Sequence, residues 1–330
     1  MHEDLVPPEG SQSSNEREKA EWKTEWKTEY EVMSGLRKLK YQPLALGLRD
    51  DLGVLRKTLF SEQPKIVFNL LEEFAGEAVF DQHIVSYLEL NRVKYTGCNP
   101  RGLMLARDKA LSKKILKYHR LPTPDFLVFR FGRALRFSKK IKYPLFVKSL
   151  FEEASLGITQ SSVVYNEQEL KDRVEEFFAK IQGDVIAEEY IEGRELYLSI
   201  LGNDRLQVFP AWELFFDRAS SRTPLIATEK VKWDFNYRQK VGVRTGPAAD
   251  WSESQQSQLA QLGKRVYRAL GLTGYARLDL RLDKEGRAYV IEANPNPDIG
   301  DNEDFAASAQ ASGVSYPQLL DKIIRLGLRR

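Results

Sequence analysis

The chain has one cysteine, Cys98, and three histidines in 330 residues. A single thiol cannot close an internal disulfide, so a reducing cytoplasm is the expected compartment and a packed side chain the expected role of Cys98. No stretch approaches the roughly eighteen uncharged apolar residues of a membrane span, so no membrane partner is expected. The opening segment is charged and hydrophilic, unlike a secretory signal. Net charge is only +3. Lys and Arg are mixed with Asp and Glu, and without a polybasic tract nucleic acid is not an expected partner. The Gly-Lys-Ser/Thr core of a Walker loop is missing too.

What remains is an ordinary globular composition, 42% apolar and 29% charged, at a length that predicts two or three domains. Residues 1–15 read as loop and 16–39 as a helix. Residues 65–70 (Lys-Ile-Val-Phe-Asn-Leu) read as a buried strand, 79–90 as a helix and 94–97 as a short strand and turn. Strands alternating with helices imply a parallel sheet. A second unit begins near Arg101. It has a helix over 108–119, an extended stretch at Leu121-Pro122-Thr123-Pro124, and strands at 126–129 and 145–148. Asn166 stands three residues before Glu169, the spacing of a helix cap. The third unit is strand-rich, with runs at 185–190, 195–201, 206–214, 276–282 and 288–292. An amphipathic helix over 252–270 and a closing helix over 315–328 complete it. The expected boundaries are 1–100, 101–187 and 188–330.

The most telling segment is Ala276-Arg277-Leu278-Asp279-Leu280 followed by Val290-Ile291-Glu292-Ala293-Asn294. Residues two apart on a strand share a face, so Arg277 joins Asp279 and Glu292 joins Asn294. The intervening Asp283-Lys284-Glu285-Gly286 suits a hairpin. Pairing the strands gathers two carboxylates, an amide oxygen and a guanidinium. Hard oxygen donors suit Mg²⁺, which commonly carries a nucleotide's phosphates. Lys148, ending the apolar run Pro144-Leu145-Phe146-Val147, is costly to bury unless an anion meets it. The small-residue stretch after it, through Ser155 and Gly157, can close over phosphates. Glu188-Glu189-Tyr190-Ile191 with Gly193-Arg194-Glu195 reads as strand, turn, strand. A strand edge there can pair with an adenine, and a carboxylate beyond it can accept from ribose hydroxyls.

Taken in order, Lys109, Lys148, the small loop, Glu188–Ile191 with Gly-Arg-Glu, Lys232-Trp233-Asp234, Arg-x-Asp and Glu-x-Asn resemble the ATP-grasp superfamily, and within it the D-alanine–D-alanine ligase branch. The resemblance runs from about Pro64 onward. It implies an α/β, three-domain ATP-grasp protein, α+β in its ATP-binding part, with an N-terminal parallel-sheet domain. It implies ATP between the second and third units, with Lys109 and Lys148 at the phosphates, Glu188, Glu189, Tyr190 and Ile191 at adenine, and Glu195 at ribose. Asp279, Glu292 and Asn294 match the Mg²⁺ ligands, a role Mn²⁺ can also fill. Arg277, Lys232 and Ser155 match catalytic positions. Small-molecule carboxylate and amine substrates follow, as does a homodimer through the N-terminal unit. The activity implied is an ADP-forming carboxylate–amine ligation, D-alanine–D-alanine ligation being one form. An ATP-binding pseudoenzyme or regulatory module is the alternative, disfavoured because Arg277, Asp279, Glu292 and Asn294 are all retained.

Three departures stand out. The chain opens at Met1-His2-Glu3-Asp4-Leu5, which resembles the end of a first strand, and Glu16 only faintly matches the branch's ammonium-binding position. The phosphate loop has Glu153-Ala154-Ser155 where the branch prefers Gly-Ser-Ser. After Asn294 come Asp298, Glu303 and Asp304, where the branch uses a serine to hold the acceptor carboxylate. Negative side chains would repel such a carboxylate.

Overall fold

An antiparallel pairing joins the two segments that carry the chemistry. It lies in a computed structural model that describes residues 1–8, 25–138, 140–151, 157–218 and 224–330. Strands are β1 Phe126–Phe129, β2 Leu145–Ser149, β3 Val163–Val164, β4 Val185–Glu189, β5 Arg194–Leu201, β6 Gln207–Val208, β7 Trp212–Phe216, β8 Val243–Pro247, β9 Tyr275–Leu282 and β10 Ala288–Pro295. They form two sheets. One has the order β1-β4-β2-β3, and the other β10-β9-β5-β7-β8 with β6 on β5.

β5 and β9 pair antiparallel over eight residues, from Arg194 opposite Leu282 to Leu201 opposite Tyr275. Strand alternation then separates two faces. Leu196, Leu198 and Ile200 lie opposite Leu280, Leu278 and Ala276 on the apolar face. Glu195, Tyr197 and Ser199 lie opposite Arg281, Asp279 and Arg277 on the other. The apolar face packs against the long amphipathic helix Glu253–Ala269, through Leu259, Val266 and Tyr267. Burying each leucine there contributes about 2 kcal/mol. Gly263 brings the helix close, since a Cβ would meet Leu198 Cδ2 at 2.6 Å.

The other sheet packs against the helix Glu167–Ile181, whose cap is Asn166, accepting from the Glu169 N–H. Helices Pro100–Arg107 and Lys109–Tyr118 follow one another directly, the second capped by Asp108. Gly193 makes the turn from β4 into β5 at φ +149°. A Cβ there would fall 1.9 Å from the Leu282 carbonyl oxygen, a position open only to glycine.

Several elements differ from expectation. The helix expected over 16–39 is described as Lys27–Lys38, its first part lying outside the described residues. The run 206–214 is two strands, because Pro210 lacks the N–H a continuous strand would donate. Residues 65–70 contribute only a parallel bridge, Val67 to Tyr95. Beyond Val67 a side chain takes over the ladder: Asn69 N–H donates to Thr96 Oγ1 and Leu71 N–H to Asn69 Oδ1. Met1–Leu5 is likewise a parallel bridge, His2 to Leu48, leading into the 3-10 turn Glu3–Leu5. The N-terminal pairing is parallel as expected but shorter than a strand among the described residues. No described helix is long and apolar enough to cross a membrane.

Candidate active site

β9 and β10 form the expected hairpin, and their register decides the site. Val290 lies opposite Leu280, but Glu292 lies opposite Asp279 and Asn294 opposite Arg277. One residue, Ile291, is extra. Regular pairing would set Ile291 against Asp279 and turn Glu292 toward Leu278. The bulge restores Glu292 to the face of Asp279.

Arg277 clasps Asp279 with two hydrogen bonds, Nε to Oδ1 at 2.7 Å and Nη2 to Oδ2 at 2.9 Å. The guanidinium also stands over the Tyr197 ring at 4.6 Å. Burial and the neighbouring Glu292 charge push the Asp279 carboxyl above its ordinary pKa despite Arg277. Burial also pushes Glu292 upward, but Lys148, Lys109, Lys232 and Arg277 outweigh it and hold Glu292 well below the carboxylate range. Two adjoining carboxylates thus titrate apart, Glu292 ionising first.

Across the cleft, Lys148 is buried between two acids, 2.9 Å from Glu188 Oε1 and 3.4 Å from Glu292 Oε2. Its desolvation is outweighed by those charges, and its pKa is raised. Glu188 meets a second buried cation: Lys113 Nζ lies 2.8 Å from its Oε2. Lys109 begins its helix and reaches the Leu150 carbonyl at 3.5 Å. Lys232 sits in the short helix Glu229–Trp233, tied to the other wall where Gly157 N–H donates to Glu229 Oε2.

Between these walls is a cleft whose open space, counting that open to solvent, is about 850 Å³. Every expected site residue lines it except Ser155, Arg277 and Asn294. Ser155 lies outside the described residues, as does Glu16. Phe146, Ile158 and Ile226 add apolar surface. The Glu189 and Tyr190 N–H groups donate to the Asp125 and Pro144 carbonyls. Glu195 accepts from Arg281 at 3.0 Å and from the Tyr197 hydroxyl at 3.1 Å.

Two residues were missed in the sequence. Arg281 lines the cleft and also bonds the Ile191 and Leu225 carbonyls. Strand alternation signals it, since Arg277, Asp279 and Arg281 fall on one face. Lys113 has no comparable signal, because a lysine in a Lys-Lys pair on a helix reads as solvated.

The acidic residues after Asn294 meet the helix Lys27–Lys38. Thr28 donates to Asp298, the Asp301 N–H donates to Glu31, and Lys27 pairs with Glu303. Burial raises the pKa of Glu31 and Glu303. Asp304 adds its charge to the surroundings of Arg277 and Tyr197.

The donor set fits a hard cation. Asp279, Glu292 and Asn294 offer oxygens from paired positions, and the remaining coordination of Mg²⁺ ordinarily comes from phosphates and water. In keeping with so small a set, no group of three or more His, Cys, Asp or Glu able to hold a metal occurs among the described residues.

Residues 115–325 match the family model described as D-ala D-ala ligase C-terminus. The uncharacterized protein y4sG of Sinorhizobium fredii is 31% identical over 265 residues, covering 80% of this chain and 75% of that protein. The D-alanine–D-alanine ligase of Carboxydothermus hydrogenoformans is 30% identical over 287 residues, covering 83% and 85%. The crystal structure of D-alanine–D-alanine ligase from Bacillus anthracis complexed with ATP superposes with a TM-score of 0.72. It is 25% identical, covering 92% of this chain and 91% of that one.

Proposed function

The chain belongs to the D-alanine–D-alanine ligase family of ATP-grasp proteins, ATP-dependent and ADP-forming C–N ligases. From that premise we propose that it activates a small carboxylate as an acyl phosphate and passes the acyl group to an amine. The observation that carries this reading is the pairing of Asp279 with Glu292, and Arg277 with Asn294, beside a cleft holding Lys109, Lys148 and Lys232. We take the three units as 1–100, 101–187 and 188–330, with ATP between the last two.

A free carboxylate resists an amine because its oxygen is a poor leaving group. The carboxylate oxygen attacks the γ-phosphorus, the bond to ADP breaks, and an acyl phosphate forms. The amine then adds to the acyl carbon, loses a proton, and expels inorganic phosphate. Phosphoryl transfer depends on alignment and charge neutralisation. Lys109 and Lys148 supply cations at the phosphates, and Lys232 supplies one on the substrate side. Arg277 stabilises the oxyanion of the tetrahedral intermediate. Glu195, fixed by Arg281 and Tyr197, receives the ribose hydroxyls, while Glu189 to Ile191 face the adenine and Glu188 holds Lys148. Asp279, Glu292 and Asn294 would hold Mg²⁺, which neutralises phosphate charge when bound.

The acceptor is the finer question. D-alanine as acceptor is the second reading, favoured by the named activity of the relatives. Against it stands the charge of Asp304, which acts on Arg277 and would cost a nearby acceptor carboxylate on the order of a few kcal/mol, while Thr28 and Lys27 already engage Asp298 and Glu303. An amine without a carboxylate, or with an extra positive charge, suits that charge. The test is ADP release from MgATP with D-alanine, plain amines and cationic amino acids, against a blank without substrate. Substrate-dependent ADP release with the cationic acceptors is expected. Efficient D-alanyl-D-alanine synthesis would overturn the acceptor assignment alone, and absence of MgATP binding by folded protein would overturn the ligase reading.

A further inference from the structure

Lys113 is wholly buried, and no step described above uses it. A buried ammonium is costly, and desolvation, with Lys148 nearby, does lower its pKa against the pull of Glu188. Its three contacts explain what it is kept for. Nζ donates to the Ile291 carbonyl at 2.8 Å and to Thr123 Oγ1 at 3.2 Å, and it pairs with Glu188 Oε2 at 2.8 Å.

Ile291 is the extra residue of the β10 bulge. Its neighbour Val290 already turns both backbone groups to the outer edge, the N–H to the Pro122 carbonyl and the C=O to Thr123 Oγ1. Strand alternation would turn the next carbonyl inward, toward β9. The Ile291 carbonyl instead faces outward and is received by Lys113. The other contact, Glu188, is the anion that holds Lys148. One ammonium therefore meets the carbonyl that sets Glu292 and the carboxylate that sets Lys148.

We propose that Lys113 is a positioning residue for the metal and phosphate site: it fixes Glu292 through the Ile291 carbonyl and Lys148 through Glu188, without touching nucleotide. The proposal rests on the ligase reading. The nearer effect is on the metal, because Glu292 follows the anchored carbonyl directly, whereas Lys148 keeps Glu292 as a second anion when Glu188 shifts.

The test uses full-length Lys113→Met, which keeps an unbranched side chain one atom shorter and removes the charge. Mn²⁺ affinity is measured by electron paramagnetic resonance with a non-hydrolysable ATP analogue, and affinity for the analogue alone is measured in a chelator. Loss of an outer-shell partner costs metal affinity about 10- to 100-fold, and that loss is expected here, with metal-free affinity changed far less. If Lys113→Met fails to fold, Lys113→Met with Glu188→Gln removes the orphaned carboxylate as well and enters the same assay. Unchanged Mn²⁺ affinity, or equal loss of both affinities, would make Lys113 a purely structural group and overturn the proposal. Wild type that binds the analogue but no Mn²⁺ would overturn both the proposal and the metal assignment beneath it.

Discussion

Arg277 spends its two hydrogen bonds on Asp279, yet its assigned work is on a reacting carbonyl. The two roles are compatible if the Asp279 oxygens exchange their guanidinium for a metal while Arg277 turns to the developing oxyanion. On that reading Arg277→Ala should lower kcat by about 10²- to 10³-fold, the usual cost of one oxyanion donor. ATP affinity should stay near wild type, because Lys109 and Lys148, the lysines proposed for the phosphates, are untouched. Calorimetry of MgATP binding beside steady-state kinetics checks this, and loss of ATP binding would remove Arg277 from that role. That Arg277 and Asp279 share a face was legible in the sequence, since residues i and i+2 on a strand do so. Lys113 was not, because nothing local to a helix tells a lysine which carbonyl will arrive from 178 residues away.

Among the elements, the β9–β10 hairpin shows where sequence reading succeeds and where it stops. The turn at Asp283–Gly286 and the apolar alternation fixed the pairing partners. The extra residue at Ile291 leaves no mark in composition, so only the folded chain shows that Glu292 and Asp279 stand opposite. The strand expected over 206–214 failed for a readable reason, Pro210. The β4–β5 turn depends on Gly193 in the same local way. Gly193→Ala would press a methyl group into the Leu282 carbonyl and should cost more than about 2 kcal/mol, a strained backbone and a steric clash together. Urea denaturation reads the loss as a lower midpoint at unchanged slope, and an unchanged midpoint would mean that the turn relaxes freely.

For the molecule as a whole, the N-terminal unit was the least legible part, because Asn69 and Thr96 replace backbone ladder bonds with side-chain ones. The acid-rich contact between the helix Lys27–Lys38 and the segment after Asn294 has a pH signature. Glu31 is raised above its ordinary pKa, by burial first. A carboxyl whose folded pKa exceeds its unfolded value penalises the fold once ionised. That penalty is absent below the unfolded pKa, near 4.3, and grows as pH rises through the folded pKa. Glu31→Gln, which keeps an oxygen for the Asp301 N–H, should therefore raise Tm at pH 7 and leave it nearly unchanged at pH 4. A lower Tm at pH 7 would show that the charge itself holds the contact.

The outer side of β10 has a consequence beyond catalysis. β10 ends its sheet, and an exposed terminal strand is a template on which a second chain can stack and aggregate. Here the Val290 N–H and C=O are taken by Pro122 and Thr123, and the Ile291 carbonyl by Lys113. The row of backbone groups that could recruit another molecule is capped at its middle. The contacts that seat Glu292 also protect this margin of the protein from misassembly, so damage there threatens solubility as well as turnover.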